Sequence, residues 1–163
     1  MENYILSTNK KMKKFLKNIM LSAILISLPN IYPSYVKTPE TLEVWLQEFT
    51  YQSDADDYWK SPEETIKDNG GDCEDYAILV DMVLSDFGYD ITIVALYFSD
   101  KASEHTIAIL KIDGYYTIFS NNEYYSRKYE NLGDLLNDYY PTWNKICLIN
   151  PKKPNKGITV AKR

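Results

Sequence analysis

One short stretch constrains this chain more than any other: two glycines, an acid, a cysteine and two further acids, in the order Gly70-Gly71-Asp72-Cys73-Glu74-Asp75. The glycines permit a tight turn, including one with a left-handed backbone. Asp72 is a suitable helix N-cap, and Asp75 follows three residues later, where a capping box has its acid. Apolar residues continue at helical spacing up to Gly88, a typical stop. The sequence therefore predicts that Cys73 lies in the first turn of a mostly buried helix.

This position has consequences for the chemistry of Cys73. Unpaired N–H groups at a helix start favour a thiolate, and cysteines there can have pKa values of roughly 3.5–7.5 instead of about 8.5. The three neighbouring acids act in the opposite direction, so a strongly lowered pKa requires a nearby histidinium. The alternative is a buried, unreactive cysteine that opens a core helix.

The chain contains one histidine, His105, and two cysteines. Four-ligand zinc sites with two or three cysteines and the remaining ligands histidine are excluded by this count. Cys147 lies in an apolar run, where a small buried hydrophobic residue is expected. A disulfide between Cys73 and Cys147 is an alternative for an exported protein. His105 is the one available imidazole base, and it opens a predicted strand.

Residues 35–150 are predicted to form one domain, with helices first and strands later. Helices are predicted to begin at Thr38 and Ser61, each followed by proline at the first helical position. Strands are predicted at 91–98, 105–112, 115–122 and 145–149, with a short helix at 131–140. Asp113-Gly114 is typical of a two-residue hairpin turn of type I′. Because both faces of the strands at 91–98, 105–112 and 115–122 are apolar, these three are expected in the middle of a sheet.

The hairpin predicts which residues lie beside His105. Residues equidistant from the turn pair with each other, so His105 is expected to face Asn122, with Ser120 one diagonal away on the same face. Neither residue is a carboxylate. Either can orient an imidazole by a hydrogen bond, but neither can stabilise imidazolium by charge. A thiol hydrolase or acyltransferase needs a nucleophile, a base and an orienting group in such an arrangement.

Residues 1–34 differ in composition from the rest of the chain. They hold five lysines and one acid, followed by the apolar run 19–28, which Pro29 ends. About ten apolar residues span only ~15 Å as a helix, about half of the ~30 Å hydrocarbon core. The pattern is typical of a secretory signal, so an exported protein of the cell envelope or exterior is expected. An uncleaved membrane anchor and an N-terminal core helix are the alternatives.

Charge narrows the range of partners. Residues 35–163 hold 13 basic and 22 acidic residues, a net charge of −9. This balance argues against nucleic-acid binding. It suits a neutral or basic polypeptide partner, such as a cell-surface protein, although a solvated acidic surface is the alternative. Residues 151–163 are predicted to form a basic, flexible tail.

Several motifs together resemble the transglutaminase-like superfamily, nearest to its bacterial transglutaminase-like cysteine proteinases. They are Trp59-x-x-Pro62-x-Glu64, Gly71-Asp72-Cys73-Glu74-Asp75-Tyr76-Ala77, His105 and the Asp113-Gly114 hairpin, within residues 36–122. The resemblance implies an α+β, papain-like fold in which the cysteine helix packs on an antiparallel sheet. It implies that Cys73 is the nucleophile and His105 the base, with no cofactor required.

The resemblance also concerns a third residue and a metal. The aspartate that the family usually has falls on Ser120 here, which is a departure, and Asn122 can take its place as Asn does in papain-like enzymes. In the adhesin-cleaving branch, acids beside the cysteine bind calcium. Asp72 and Glu74 match them by position, although as helix-cap residues they need no metal to explain them.

The remaining expectations concern the oxyanion hole and the reaction. The hole would combine the Cys73 backbone N–H with a second donor, for which the Trp59 indole is the candidate and a packing role the alternative.

The first functional prediction is an exported cysteine peptidase that hydrolyses a peptide or isopeptide bond through a thioester. The alternatives are a protein-glutamine acyltransferase that cross-links chains and, because the usual aspartate is missing, a catalytically weakened binding module.

Overall fold

The computed structural model of the chain describes residues 31–54, 58–99, 104–152 and 157–162. The predicted secretory segment therefore lies almost entirely outside the described residues. The helices are α1 (Pro39–Leu46), α2 (Pro62–Asp68), α3 (Cys73–Ser85) and α4 (Leu132–Tyr139). The strands are β1 (Thr50–Tyr51), β2 (Gly70–Gly71), β3 (Asp90–Phe98), β4 (Glu104–Ile112), β5 (Tyr115–Ser120), β6 (Glu123–Tyr129), β7 (Trp143–Leu148) and β8 (Ile158–Lys162).

Six of the strands form one antiparallel sheet in the order β6-β5-β4-β3-β7-β8. The two short strands β1 and β2 pair in parallel before α3. Because three helices precede an antiparallel sheet that only α4 interrupts, the predicted α+β class is confirmed. The strands with apolar faces, β3, β4 and β5, each lie between two other strands of the sheet, as their pattern predicted.

The helix starts follow from local chemistry. The Ser61 hydroxyl accepts the Glu64 N–H at 3.3 Å, and Glu64 Oε2 accepts the Ser61 N–H at 2.8 Å, so a capping box forms at the predicted start of α2. Thr38 is the N-cap of α1, and a proline follows each cap. These bonds satisfy N–H groups that a helix start otherwise leaves without partners.

The β4–β5 hairpin has the predicted turn and register. Asp113 and Gly114 have φ values of 52° and 86°, as a type I′ turn requires, and Ala108 pairs with Phe119. However, β5 ends at Ser120 instead of continuing to residue 122. The chain turns at Asn121, where φ is 52°, and returns as β6, which the sequence did not predict.

Helices cover both faces of the sheet. Alternate residues of the central strands belong to two separate apolar clusters, as expected from the two-residue period of a strand. The first cluster joins the sheet to α1 and α3 and includes Leu42, Leu79, Val83, Ile93, Ala108 and Leu110. The second joins it to α4 and includes Val94, Ile107, Ile109, Leu135 and Leu136. The site described below lies where elements from both layers approach the beginning of β4.

The segment predicted to be a flexible tail contains a strand, β8, which pairs with β7. Its run Ile158-Thr159-Val160 is rich in β-branched residues, which suit an extended backbone. The basic composition of the surrounding tail concealed this short pattern. No helix within the described residues is both long and apolar enough to cross a membrane.

Candidate active site

Cys73 is the first residue of α3, as the sequence predicted. Asp72 is the N-cap, and its N–H donates to Asp75 Oδ2 at 3.2 Å. The other Asp75 oxygen, Oδ1, accepts the Lys60 N–H at 2.7 Å. The buried Asp75 carboxylate therefore connects the start of the cysteine helix to the segment that precedes α2 and holds Cys73 at a defined place.

The two glycines before the helix serve close packing, which corrects the expectation that they allow a left-handed turn. Neither Gly70 nor Gly71 has a positive φ; both lie in β2. A Cβ on Gly70 would lie 2.1 Å from the Thr50 carbonyl oxygen, and one on Gly71 would lie 2.5 Å from Asp75 Oδ2. Since real Cβ atoms do not approach so closely, only glycine permits the backbone to pass here.

The Cys73 sulfur lies near the beginning of β4. The backbone N–H of Thr106, the residue after His105, lies close enough to the sulfur to favour the thiolate, although burial has the larger effect on the pKa of Cys73. The thiol itself donates to Glu74 Oε2 at 3.1 Å. Burial raises the pKa of Cys73 to about 12, with further contributions from the hydrogen bond and charge of Glu74. The proximity of helix N–H groups does not overcome these effects.

Glu74 and Asp72 are two adjacent buried acids, with 5% and 7% of their surfaces exposed. Burial raises the pKa of Glu74 to about 8, and interaction with Asp72 acts in the same direction. A carboxyl group in this position is therefore partly protonated near neutral pH. The same two acids were matched to the calcium-binding acids of related proteins on sequence grounds.

His105 lies near the start of β4, and its Nε2 is 2.8 Å from Ser120 Oγ at the end of β5. The structure therefore brings these two predicted site residues together. Burial lowers the pKa of His105, so the ring is neutral at neutral pH. Since Nε2 is engaged by Ser120, Nδ1 is the nitrogen left to serve as a base towards the thiol.

Two other predicted residues occupy different places. Asn122 lies beyond the last β4–β5 pair, in the turn before β6, and its carbonyl oxygen accepts a hydrogen bond from Gln47 at 3.0 Å. Among residues 31–54, 58–99, 104–152 and 157–162, no hydrogen bond joins Asn122 to His105. Trp59 is partly buried against the first apolar cluster, which agrees with the packing alternative. Both cysteines are free, and Cys147 is buried, so the disulfide alternative is wrong.

The sequence did not single out the aromatic residues around the site. The ring of Tyr140, the C-cap residue of α4, lies 5.7 Å from the His105 imidazole, centroid to centroid. Burial raises the pKa values of Tyr140 and Tyr51, and both tyrosines are close enough to Cys73 for a charge on the sulfur to act in the same direction. The number of tyrosines, 15, was the one available signal. Composition could not indicate that Tyr140 meets a histidine 35 positions earlier.

In the resting site, Cys73 and His105 are therefore both uncharged. Within the described part of the chain, the side-chain partner of the Cys73 sulfur is Glu74, and no hydrogen bond links the sulfur to the His105 ring. The raised pKa of Cys73 and the lowered pKa of His105 both favour neutral forms. A nucleophilic thiolate requires the thiol to leave Glu74 and transfer its proton to the imidazole.

The two carboxyl groups beside Cys73 supply some, but not all, of the oxygen ligands that a calcium ion needs. Asp72 and Glu74 supply carboxylate oxygens, the ligand type that calcium prefers, and their mutual proximity disfavours two negative charges unless a cation is present. No cluster of three or more histidine, cysteine or acidic residues suited to a metal occurs within the described ranges. Backbone carbonyls and water would have to complete the six to eight oxygen ligands of a calcium ion.

Comparison with known proteins places these features in a family. The model of the transglutaminase-like domain matches residues 6–137 of the chain. This chain belongs to the transglutaminase-like family. The family membership expected from the cysteine, histidine and hairpin motifs is thereby confirmed. A search of curated protein sequences gave no significant match.

Among solved structures, this transglutaminase-like domain is similar to Legionella pneumophila LapG in its calcium-bound form. The two are 26% identical with a TM-score of 0.51, over 68% of this chain and 62% of that chain. For LapG without a stated treatment the values are 24%, 0.49, 66% and 61%. For EGTA-treated LapG they are 24%, 0.48, 68% and 65%. This chain therefore spans less than two thirds of the length of LapG.

Proposed function

We propose that this transglutaminase-like domain is a cysteine peptidase that cleaves a peptide or isopeptide bond through a Cys73 thioester. The observation that carries the proposal is the arrangement at the beginning of β4. The Thr106 N–H lies close enough to the sulfur to favour the thiolate, while the adjacent His105 has Nε2 bonded to Ser120, which leaves Nδ1 to act as a base. The membership in the family and the similarity to LapG support the same chemistry.

The proposed reaction has two steps, formation of a thioester on Cys73 and hydrolysis of that thioester. The Cys73 sulfur attacks the substrate carbonyl carbon, and its proton passes to Nδ1 of His105. The imidazolium then gives this proton to the amine nitrogen as the C–N bond breaks, which leaves a thioester. Water adds to the thioester while the imidazole accepts its proton, and the C–S bond breaks as the proton returns to the sulfur. The Cys73 backbone N–H, at the positive end of α3, is suited to stabilise the oxyanion.

The test compares variants of the two cysteines. Full-length protein is incubated with candidate surface proteins in calcium-containing buffer, and fragments are identified by mass spectrometry. Wild type and Cys147→Ala should give the same fragments, and Cys73→Ala should give none. Fragments produced equally by Cys73→Ala would refute the proposal. Ammonia release with incorporation of a primary amine, in place of cleavage, would show the acyltransferase reaction instead.

A binding module without turnover is the second candidate, because Cys73 has a raised pKa and Ser120 stands where a carboxylate would stabilise imidazolium. Iodoacetamide alkylation against pH separates the two candidates. An enzyme should show a reactive Cys73 that loses reactivity in His105→Ala. A wild-type rate equal to that of a free thiol, unchanged in His105→Ala, would indicate the binding module.

We further propose that Asp72 and Glu74 bind calcium, with backbone carbonyls and water as the remaining ligands. The ion would supply positive charge that keeps both acids ionised and engages the Glu74 oxygen that now accepts the thiol. Calorimetric titration with CaCl₂ should show binding in wild type and in Glu63→Gln, which changes an exposed acid of α2. Binding retained by Glu74→Gln would contradict the assignment.

We also propose export to the cell envelope or exterior, where the substrate would be a polypeptide such as a surface protein. The support is the lysine-rich segment followed by the short apolar run 19–28. Fusion of residues 1–34 to alkaline phosphatase should give activity that depends on this run. Activity that persists after replacing Leu25 and Ile26 with lysine would contradict a signal function.

A further inference from the structure

Cys73 lies at one particular end of the six-stranded sheet. Because α3 packs on β3 and β4, and only residues 86–89 connect it to the start of β3, the helix runs back along the sheet towards the end of β3. Its 13 residues span ~20 Å as a helix, whereas the nine residues of β3 extend over ~30 Å. The helix therefore covers about two thirds of β3, and Cys73, its first residue, lies next to the part that remains.

Beyond the start of α3, the sheet presents four side chains that we call the terminal row. In the order of strands β4, β3, β7 and β8 they are Glu104, Tyr97, Lys145 and Lys162, each opposite the next. Tyr97 follows Ile93 of the first apolar cluster by four residues, so the terminal row lies on the face of the sheet that α3 covers. Glu104 and Lys162 are exposed, and Tyr97 and Lys145 are partly exposed. The terminal row is thus a polar surface beside the catalytic helix.

The two lysines of the terminal row are an unfavourable pair by themselves. They are directly opposite on β7 and β8, where like charges are destabilising. The Lys145 ammonium lies over the Tyr97 ring, 3.3 Å from its centroid, on the side of β7 away from Lys162. Within the part of the chain that the structure describes, neither lysine forms an ion pair. Two cations therefore lie side by side, without a described acidic partner, on a domain of negative net charge.

Protection of the sheet edge does not account for both lysines. Lysine on an edge strand hinders pairing with another chain, and Lys162 on β8 fits this role. Lys145 does not, because β7 lies between β3 and β8. The other edge strand, β6, is blocked in a different way, since the Tyr124 N–H donates to Glu43 Oε1 at 3.0 Å. Binding of an anion explains both lysines.

The spacing of the sheet gives the distance from the reactive thiol to the lysines. Thr106, whose N–H lies close to the Cys73 sulfur, is two residues from the terminal row, ~7 Å along the strand. Lys145 and Lys162 lie two and three strands away from β4, ~10 and ~14 Å. The direct distances from Thr106 are then ~12 and ~16 Å, which an extended peptide covers with about four to five residues.

We propose that Lys145 and Lys162 form a substrate subsite that binds an acidic side chain of the polypeptide, about four to five residues from the bond that Cys73 attacks. The proposal rests on the proposed function in naming a substrate. It also specifies where negative charge is tolerated. The acids beside Cys73, Asp72 and Glu74, disfavour an acidic residue at the scissile bond itself, whereas the terminal row favours one at a distance.

Peptides that alkylate Cys73 test the subsite without requiring turnover. Each is an alanine–serine peptide with a chloroacetyl group and two adjacent glutamates, separated by a spacer of variable length. The chloroacetyl group is at the amino end in one series and on a carboxyl-terminal ethylenediamine group in the other. The thiolate displaces chloride and forms a thioether. Full-length protein carries Cys147→Ala, so that Cys73 is the only thiol, and rates are measured at pH 9 by mass spectrometry.

Each glutamate peptide is compared with a matched glutamine peptide. In one of the two series, glutamate should react about two- to tenfold faster at a spacer of about four to five residues, the effect of one or two exposed ion pairs. The gain should disappear when the glutamates adjoin the chloroacetyl group, and it should be lost in 1 M NaCl, where charges are screened.

Variants of the lysines make the result specific. Lys145→Gln and Lys162→Gln should each reduce the ratio, the double variant should bring it to about one, and Lys145→Arg should keep it. Lys128→Gln should leave the ratio unchanged. Lys128 is an exposed lysine on β6, at the other edge of the sheet, and its ammonium also lies near a tyrosine ring. Lys162→Gln should not lower the urea midpoint, because it relieves a repulsion.

Equal rates for glutamate and glutamine at every spacing in both series would overturn the proposal. So would a preference that persists in the double lysine variant, an equal loss in Lys128→Gln, or failure of every peptide to alkylate Cys73. A lysine-dependent preference in a protein that cleaves no polypeptide would refute the peptidase and leave a binding subsite. Cleavage without the preference would leave the peptidase and refute the subsite.

Discussion

Replacing Ser120 with aspartate should make Cys73 more reactive. Ser120 Oγ is 2.8 Å from His105 Nε2, so a carboxylate on the same side chain would lie within hydrogen-bond reach of the ring. An opposite charge at such a distance typically moves a pKa by about 1–3 units towards the charged form. The pKa of His105, which burial lowers, should therefore rise, and the ring should accept the thiol proton more readily.

The effect on alkylation can be worked out from this shift. Each unit by which imidazolium is favoured increases the population of the thiolate–imidazolium pair about tenfold while that population is small. A Brønsted coefficient of about 0.4–0.5 for thiolate nucleophilicity reduces the gain to about threefold per unit. A shift of about 1–3 units thus predicts that Ser120→Asp reacts with iodoacetamide at pH 7 about 3- to 30-fold faster than wild type.

The assay uses a Cys147→Ala background, so that Cys73 is the only thiol, and a calcium chelator, so that occupancy of Asp72 and Glu74 does not vary. Rates are measured under pseudo-first-order conditions by mass spectrometry. Ser120→Asn is the matched control, since its side chain has nearly the same size and no charge. Its rate should stay within about twofold of wild type, because a neutral amide orients the ring without stabilising imidazolium.

Equal rates for Ser120→Asp and Ser120→Asn would refute this reasoning, provided that both variants retain the wild-type circular dichroism spectrum. A slower rate for the aspartate variant would refute it as well. Either result would mean that a charge beside Nε2 does not increase the reactivity of the thiol, and that His105 and Cys73 do not form a functional pair.

Three further predictions concern the same region. Glu74→Gln should lower the pKa of Cys73 below about 12 and speed its alkylation at pH 8, because the charge of Glu74 raises that pKa. Gly71→Ala should lower the free energy of unfolding in urea by about 1–3 kcal/mol, because the added Cβ overlaps Asp75. Because His105 has a lowered folded-state pKa, the unfolded state binds more protons, and stability should fall as pH drops through about 6.5. His105→Gln should remove this part of the pH dependence.

Each of these predictions has a control. Glu63→Gln should not change the alkylation rate, and a rate for Glu74→Gln at or below wild type would contradict the electrostatic explanation. Gly133→Ala should lower the free energy of unfolding only slightly, because the added Cβ would meet only Asn131 Oδ1 at 3.4 Å. Equal losses at the two glycines would contradict the close-packing argument. Identical pH profiles of stability for wild type and His105→Gln would mean that burial does not disfavour the charged ring.

The local features of this structure follow from the order of the residues alone. The starts of α2 and α3, the type I′ turn of the hairpin and the pairing of β4 with β5 depend on neighbouring residues and on the two-residue period of strands. Because Ser120 is close to His105 through that pairing, the position of one candidate orienting residue also followed from the sequence. The boundary at Asn121 did not, since a turn with one left-handed residue leaves little pattern.

The protonation states at the site, by contrast, depend on how distant segments of the chain pack together. The sequence placed Cys73 at a helix start, where a lowered pKa is common, but burial and Glu74 raise that pKa to about 12. The packing of α4 on the second face of the sheet brings Tyr140 to His105, and no local pattern connects the two residues. Desolvation and contacts between distant segments depend on how the elements pack, whereas caps and turns depend on residues a few positions apart.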